Sequence, residues 1–225
     1  MPTAKSSLFN GIWAIFIKDG LCEFRTRYAV SALFMFALIS LASISMSIGI
    51  VSLPVELTAA LLWVILFFCA MAGLSRVFVQ EQESGTIVAL QIYGSGQAVL
   101  FGKLLFNVIV LLSLTLLVIP LFIIFLNVDI YRWPIFIVIL IMGDIGIAAA
   151  STITAAMVAK SQGKNALFTV LTFPILLPQF LGSISATTKI LANIEPNASE
   201  IVFMAGYNVV LMIASSILFD YLWYD

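Results

Sequence analysis

The chain is written in long apolar runs separated by short polar interruptions, and the length of each run decides what it is. A helix rises about 1.5 Å per residue and the hydrocarbon core of a bilayer is about 30 Å thick, so roughly 20 consecutive apolar residues make one crossing. Six stretches reach that length. They are about Tyr28–Val51, closed by Pro54; Leu57–Val79; Lys103–Leu126, with Pro120 near its end; Pro134–Val158, opening on a proline; Asn165–Thr187; and Glu200–Trp223. Runs of this length specify helices, not the short alternating strands of a membrane barrel.

The residues ahead of the first run follow a different pattern. At about 100° per residue, Phe9, Ile12, Trp13, Phe16, Ile17 and Phe24 fall on one arc, with Lys18 and Arg25 opposite. This predicts an amphipathic helix over residues 5–27 lying in the membrane interface, with Trp13 at headgroup depth. Asp19 and Glu23 sit nearer the apolar arc than such a helix would place them.

Three features stand out inside the runs. Pro174 and Pro178 free backbone carbonyls, which predicts a fifth span broken or kinked near the external face. The fourth span is rich in small residues: Gly143, Gly146, Ala148, Ala149, Ala150, Ser151, Ala155 and Ala156. Such a face lets helices approach closely in lipid, either within one bundle or across a subunit interface. Asp144, in the same span, is the candidate intramembrane functional residue. A charged acid at that depth costs on the order of 3 kcal/mol on insertion scales. Two readings stand open for it: a pathway residue, or a packing residue bonded to Ser, Thr or backbone.

The link from Arg76 to Lys103, RVFVQEQESGTIVALQIYGSGQAVLFGK, is longer and less polar than a plain connection between membrane helices. Glu81 and Glu83 precede Ser84 and Thr86, which suits a helix start, because anions and a capping hydroxyl complement unpaired N–H groups. Ile87, Leu90 and Ile92 then form an apolar surface too short to span a bilayer, and Gly94 and Gly96 end it. Such a helix either rests on the headgroups or docks on a partner. Gly96 to Lys103 has the look of a phosphate-binding loop. Its spacing is one residue too long, Leu104 replaces the needed Ser or Thr, and no strand precedes it.

Composition agrees with the run lengths. The 225 residues are 63% hydrophobic and 9% charged, with a mean hydropathy of +1.18. A soluble domain is about half apolar and a quarter charged. Residues 1–225 therefore read as one all-α integral membrane domain. A net charge of −1 without a basic patch gives nucleic acid nothing to bind. There is no histidine, which removes the commonest metal and haem ligand and the usual general base. Cys22 and Cys69 sit in different settings and are expected not to pair. No nucleophile–base pair points to an enzyme.

Charge also orients the chain. Eight basic residues (Lys5, Lys18, Arg25, Arg27, Arg76, Lys103, Lys160, Lys164) lie on the side of the N-terminus, against Arg132 and Lys189 on the other. This predicts both termini and the Arg76–Lys103 link in the cytoplasm.

Glu83-x-Gly85-Thr86-Ile87, then Leu90, a turn, and Gly102-Lys103 opening the next span is similar to the first cytoplasmic loop of six-helix ABC export permeases. The resemblance implies that Glu83, Gly85, Thr86, Ile87 and Leu90 belong to a coupling helix between spans two and three that contacts a separate ATPase subunit. Ala89 departs from the acid usual three residues after the Thr, and Gly94 stands near where a Pro is usual. Within that class the chain resembles the CcmB family, permease subunits of the cytochrome c maturation haem ABC system. The features are Leu74-Ser75-Arg76-Val77-Phe78 closing the second span, a small-residue fourth span leading into a basic turn, and Phe173-Pro174 to Pro178 leading into Gly182–Thr187.

The family implies a bacterial inner-membrane complex with a CcmA-like ATPase, a haem-handling CcmC-like subunit, a small CcmD-like subunit and a second copy of this chain. ATP acts through the ATPase, haem is cargo, and no cofactor binds here directly. Two roles are attributed to the system: haem export, and ATP-driven release of a haem-loaded periplasmic chaperone. The absence of histidine agrees with the second. An exporter permease for a lipid, drug or polysaccharide, and a non-transporting scaffold, are the rival readings.

Overall fold

The computed structural model describes residues 4–26, 28–49, 53–74, 78, 81, 85, 90, 95–160 and 165–224. These residues form seven helices and, among them, no strand: α1 (Ala4–Thr26), α2 (Tyr28–Ile48), α3 (Val55–Leu74), α4 (Gly96–Leu126), α5 (Trp133–Lys160), α6 (Asn165–Leu191) and α7 (Ala198–Tyr224). The last five are long and apolar enough to cross a membrane. The sequence predicts a sixth span in α2, whose apolar part, Leu33–Ile48, is shorter.

Helix ends follow local chemistry. α4 begins at Gly96, well before the predicted start at Lys103. Ser95 is extended and its side chain accepts the Ala98 N–H at 3.4 Å. α4 ends where Asn127 turns left-handed (φ 49°), a conformation asparagine tolerates. α6 runs past Thr187 to Leu191, and the Lys189 carbonyl receives the Ile194 N–H at 2.7 Å. Glu200, in the first turn of α7, accepts the Asn197 N–H at 3.1 Å.

The expectation of a broken fifth span needs correction. α6 is one helix that runs through both Pro174 and Pro178. Its buried face (Phe168, Leu176, Gln179, Ser183, Ala186, Ile190) packs against α3, α5 and α7. Tyr207 of α7 also donates to the Ile175 carbonyl at 2.5 Å. Tertiary packing on three sides offsets the hydrogen bonds that the prolines remove.

α5 is the centre of the bundle and touches α3, α4, α6 and α7. Its small residues make this possible. A Cβ on Gly143 would lie 2.0 Å from the Trp63 ring of α3. One on Gly146 would lie 2.6 Å from Gln179 of α6 and 2.9 Å from Asn208 of α7. Gly143, Gly146, Ala148, Ala149, Ala150, Ser151, Ala155 and Ala156 are all buried within the single chain. Of the two uses open for this face, packing inside one bundle is the one it serves.

Contacts sort the connections onto two ends of the bundle. At one end, a Cβ on Gly96, the first residue of α4, would meet Trp223 of α7 at 2.9 Å, and one on Gly102 would meet Ile15 of α1 at 2.8 Å. Gln97 of α4 also bonds Ser216 of α7. At the other end, Arg132 before α5 pairs with Glu195 before α7 at 3.0 Å.

α1 lies along α4, with Ile15 buried at that crossing and Gly11 close to Ala98. Phe9, Trp13, Ile17 and Leu21, spaced four apart, form an exposed apolar stripe on its outer side. The predicted arc is therefore divided. Phe9, Trp13 and Ile17 face outward, while Ile12 and Phe16 are half-buried.

Candidate functional site

The link between α3 and α4 carries the residues singled out by sequence. Glu83, Thr86 and Ile87 lie outside the described residues. Gly85 is exposed in a turn at φ +69°, so a right-handed helix does not pass through it. Leu90 is helical and half-buried, packed against the chain's own core.

The same link contributes to a group of charges that the sequence reading did not assemble. Lys103 lies two turns into α4, on the side that α1 crosses, and only 1% of its side chain is exposed. Its ammonium reaches Glu81 Oε1 at 2.8 Å and Asp19 Oδ2 of α1 at 3.3 Å. The Phe78 ring centroid lies 4.9 Å from Nζ. Lys18, one residue before Asp19, pairs with Asp19 at 3.0 Å and also bonds Glu81. Among the described residues, two ammonium groups and two carboxylates thus alternate within hydrogen-bond reach. Each charge taken from water is met by an opposite one, the condition under which buried ions are tolerated. Burial pulls the Lys18 pKa down. The hydrogen bond to Glu81 and the charges of Asp19 and Glu81 outweigh it and hold the pKa above its ordinary 10.5.

This arrangement explains two details of the sequence. Asp19 lies near the apolar arc of α1 because it faces a buried lysine, not water. Glu81, read as an anion at a helix start, is instead directed to Lys103 and Lys18. A lysine inside an apolar helix, with acids on two neighbouring segments, was the available signal. Gly102 and Lys103 are helical, so the false phosphate-loop pattern is a helix crossing with a lysine beside it.

The second candidate, Asp144, is 0% exposed on α5. Thr115 of α4 is near enough to act on its carboxyl, yet neither Asp144 oxygen closes a hydrogen bond. Elsewhere in the bundle, polar side chains bridge the helices. Gln179 Nε2 and Asn208 Nδ2 both donate to the Met142 carbonyl, at 3.0 and 2.8 Å. Trp63 donates to Thr187 at 2.9 Å, Asn107 to Thr152 at 2.8 Å, and Thr154 shares a 2.7 Å bond with Thr172. Cys22 is exposed, Cys69 is buried, and neither is in a disulfide.

An open groove of about 390 Å³ lies beside Pro178, Gly182, Ser185, Ser199, Glu200 and Phe203. Glu200 there is already engaged by Lys189 and Ser185, at 2.8 and 2.9 Å.

Comparison with known proteins gives one family. The model of the CcmB protein family matches residues 10–219, which reaches into every helix described and takes in both candidate regions. No curated protein matches the chain.

Proposed function

The chain belongs to the CcmB protein family, the haem-exporter permease component of cytochrome c maturation, and on that premise we propose that it converts ATP-driven motion into work on the haem system. It crosses the bacterial inner membrane six times with both termini in the cytoplasm, as the eight-to-two bias of basic residues supports. The segment Gln80–Gly96, including Glu83, Gly85, Thr86, Ile87 and Leu90, contacts a separate CcmA-like ATPase subunit. A CcmC-like haem-handling subunit, a CcmD-like small subunit and a second copy of the chain complete the assembly. Haem export or release of the haem-loaded periplasmic chaperone is the output.

The observation that carries this reading is the family match over residues 10–219. Direct ligation of haem by this subunit is not part of it. Haem iron is held in proteins by His, Cys thiolate, Met or Tyr. The chain has no His, and Cys69 is buried in an apolar span, where a thiolate is disfavoured. The test is to titrate haem into the purified chain, then repeat it with the partner subunits present. Weak, substoichiometric binding by the chain alone, with haem retained by the complex, is expected. One tightly bound low-spin haem per chain would favour direct transport. Docking is tested by a pull-down with the ATPase subunit. Glu83→Lys and Leu90→Asp should each release it while the chain still inserts. Because Leu90 also packs on the core, Glu83→Lys is the more discriminating of the two.

A further inference from the structure

We propose that Lys103 is the positioning residue that fastens the α3–α4 link to α1, so that a displacement of the link is delivered to the membrane-surface stripe of α1. This deepens the reading that the link docks on an ATPase, and rests on it for the source of the motion.

Three separate segments meet at one ammonium group. Lys103 belongs to α4, Asp19 to α1 and Glu81 to the link, and Nζ reaches both carboxylates, at 3.3 and 2.8 Å. A lysine with 1% exposure has no water to fall back on. Parting either carboxylate from it leaves charge stranded in a poorly solvated place, whereas moving the carboxylates with it costs little. Lys18 adds a second cation that touches both Asp19 and Glu81, so α1 and the link are joined to each other as well as to α4. Phe78 closes one side of the ammonium with its ring.

The outer side of α1 gives the joint something to move. Phe9, Trp13, Ile17 and Leu21 are exposed in one line, while Ile15 and Gly11 lie against Gly102 and Ala98 of α4. α1 packs along the start of α4, most closely where Gly11 meets Ala98 and Ile15 meets Gly102, and the charged joint ties this packed face to the link, so α1 and its outward apolar edge move as one rigid body when the joint is displaced.

The fastening is read by hydrogen exchange on the full chain in lipid nanodiscs, with peptides spanning residues 4–26, 75–95 and 133–160. Glu81→Gln should speed exchange in 75–95 by about tenfold and leave 4–26 protected. Asp19→Asn should do the reverse. Lys103→Gln should release both, Lys103→Arg should release neither, and 133–160 should stay unchanged throughout. Uniform change in all three peptides, or no change in any, overturns the proposal. If Lys103→Gln does not fold, the two carboxylate variants alone decide it.

The transmission is read with a spin label on Cys22, which is exposed on α1, in complex with the ATPase subunit. Addition of ATP should alter the label's mobility in the wild-type chain and not in Asp19→Asn. A label indifferent to ATP in a wild-type complex that holds the ATPase overturns the transmission. Failure of the ATPase to bind the wild-type chain overturns the docking reading instead, and the exchange pattern still tests the fastening.

Discussion

Lys103 Nζ lies 2.8 Å from Glu81 Oε1 across the boundary between a membrane-length helix and the link that precedes it. The lysine is almost wholly withdrawn from solvent, so the pair is interior structure, not surface decoration. Breaking one partner of such a pair costs about 3–5 kcal/mol, whereas replacing all members with apolar residues is often neutral. Lys103→Ala should therefore lower the melting temperature of the detergent-purified chain markedly. Lys103→Met combined with Lys18→Met, Asp19→Leu and Glu81→Leu should recover most of the loss. Thermal unfolding followed by intrinsic fluorescence checks both, and an unchanged melting temperature in Lys103→Ala would contradict this account.

Alkaline titration should touch the same cluster. The Lys18 pKa is raised above 10.5 in the folded chain. Its stabilising contribution is therefore fully present below about pH 10.5 and lost as pH rises through the higher folded value. The Lys18 side chain is 40% exposed, so solvent screens part of the effect. Melting temperatures of wild type and Lys18→Gln should differ by a constant amount from pH 7 to 9, then converge above 10.5.

The close approach of α3 and α5 makes Gly143 intolerant. A methyl group there would lie 2.0 Å from Trp63, and overpacking of this kind costs about 1–3 kcal/mol. Gly206 on α7 has nothing within 4 Å of the same position. Gly143→Ala should lower the melting temperature, while Gly206→Ala should hold or raise it through better helix propensity. Equal behaviour of the two variants would argue against the α3–α5 contact.

Asp144 is buried without a hydrogen bond on either oxygen, so its carboxyl subtracts from stability. Asp144→Leu should be as stable as the wild type or more so, by about 1–3 kcal/mol. Asp144→Asn should assemble normally. If Asp144 serves the pathway, Asp144→Leu should nonetheless fail to support cytochrome c production in cells. A variant stable and active together would make it a packing residue.

The legible part of the fold was its one-dimensional part. Run lengths located five membrane-length helices, because the bilayer's thickness acts on each segment alone, although α4 starts a turn or two before Lys103 and the apolar part of α2 is shorter. The family was legible through residues in the link and along the fourth and fifth spans. Partners across space were harder. Lys103 entered only as one of eight basic residues on the side of the N-terminus, since nothing local to it distinguishes a lysine facing water from one facing Asp19 and Glu81. Asp19 left a trace by falling on the wrong arc of α1. A break at Pro174 and Pro178 was expected for a related reason: proline's local effect is strong, but three packed neighbours keep α6 continuous. Leu90 was expected to offer its side chain outward, and its half-burial is a tertiary fact.

The Met142 carbonyl takes donors from Gln179 and Asn208, both made after it during synthesis. Each helix satisfies its own backbone, so α5 is lipid-compatible alone, but the three-way fastening at its middle closes only after residue 208 has been synthesised. The last helix is thus the one that locks the centre of the bundle, and a chain ending before residue 208 would hold α5 and α6 together without that lock.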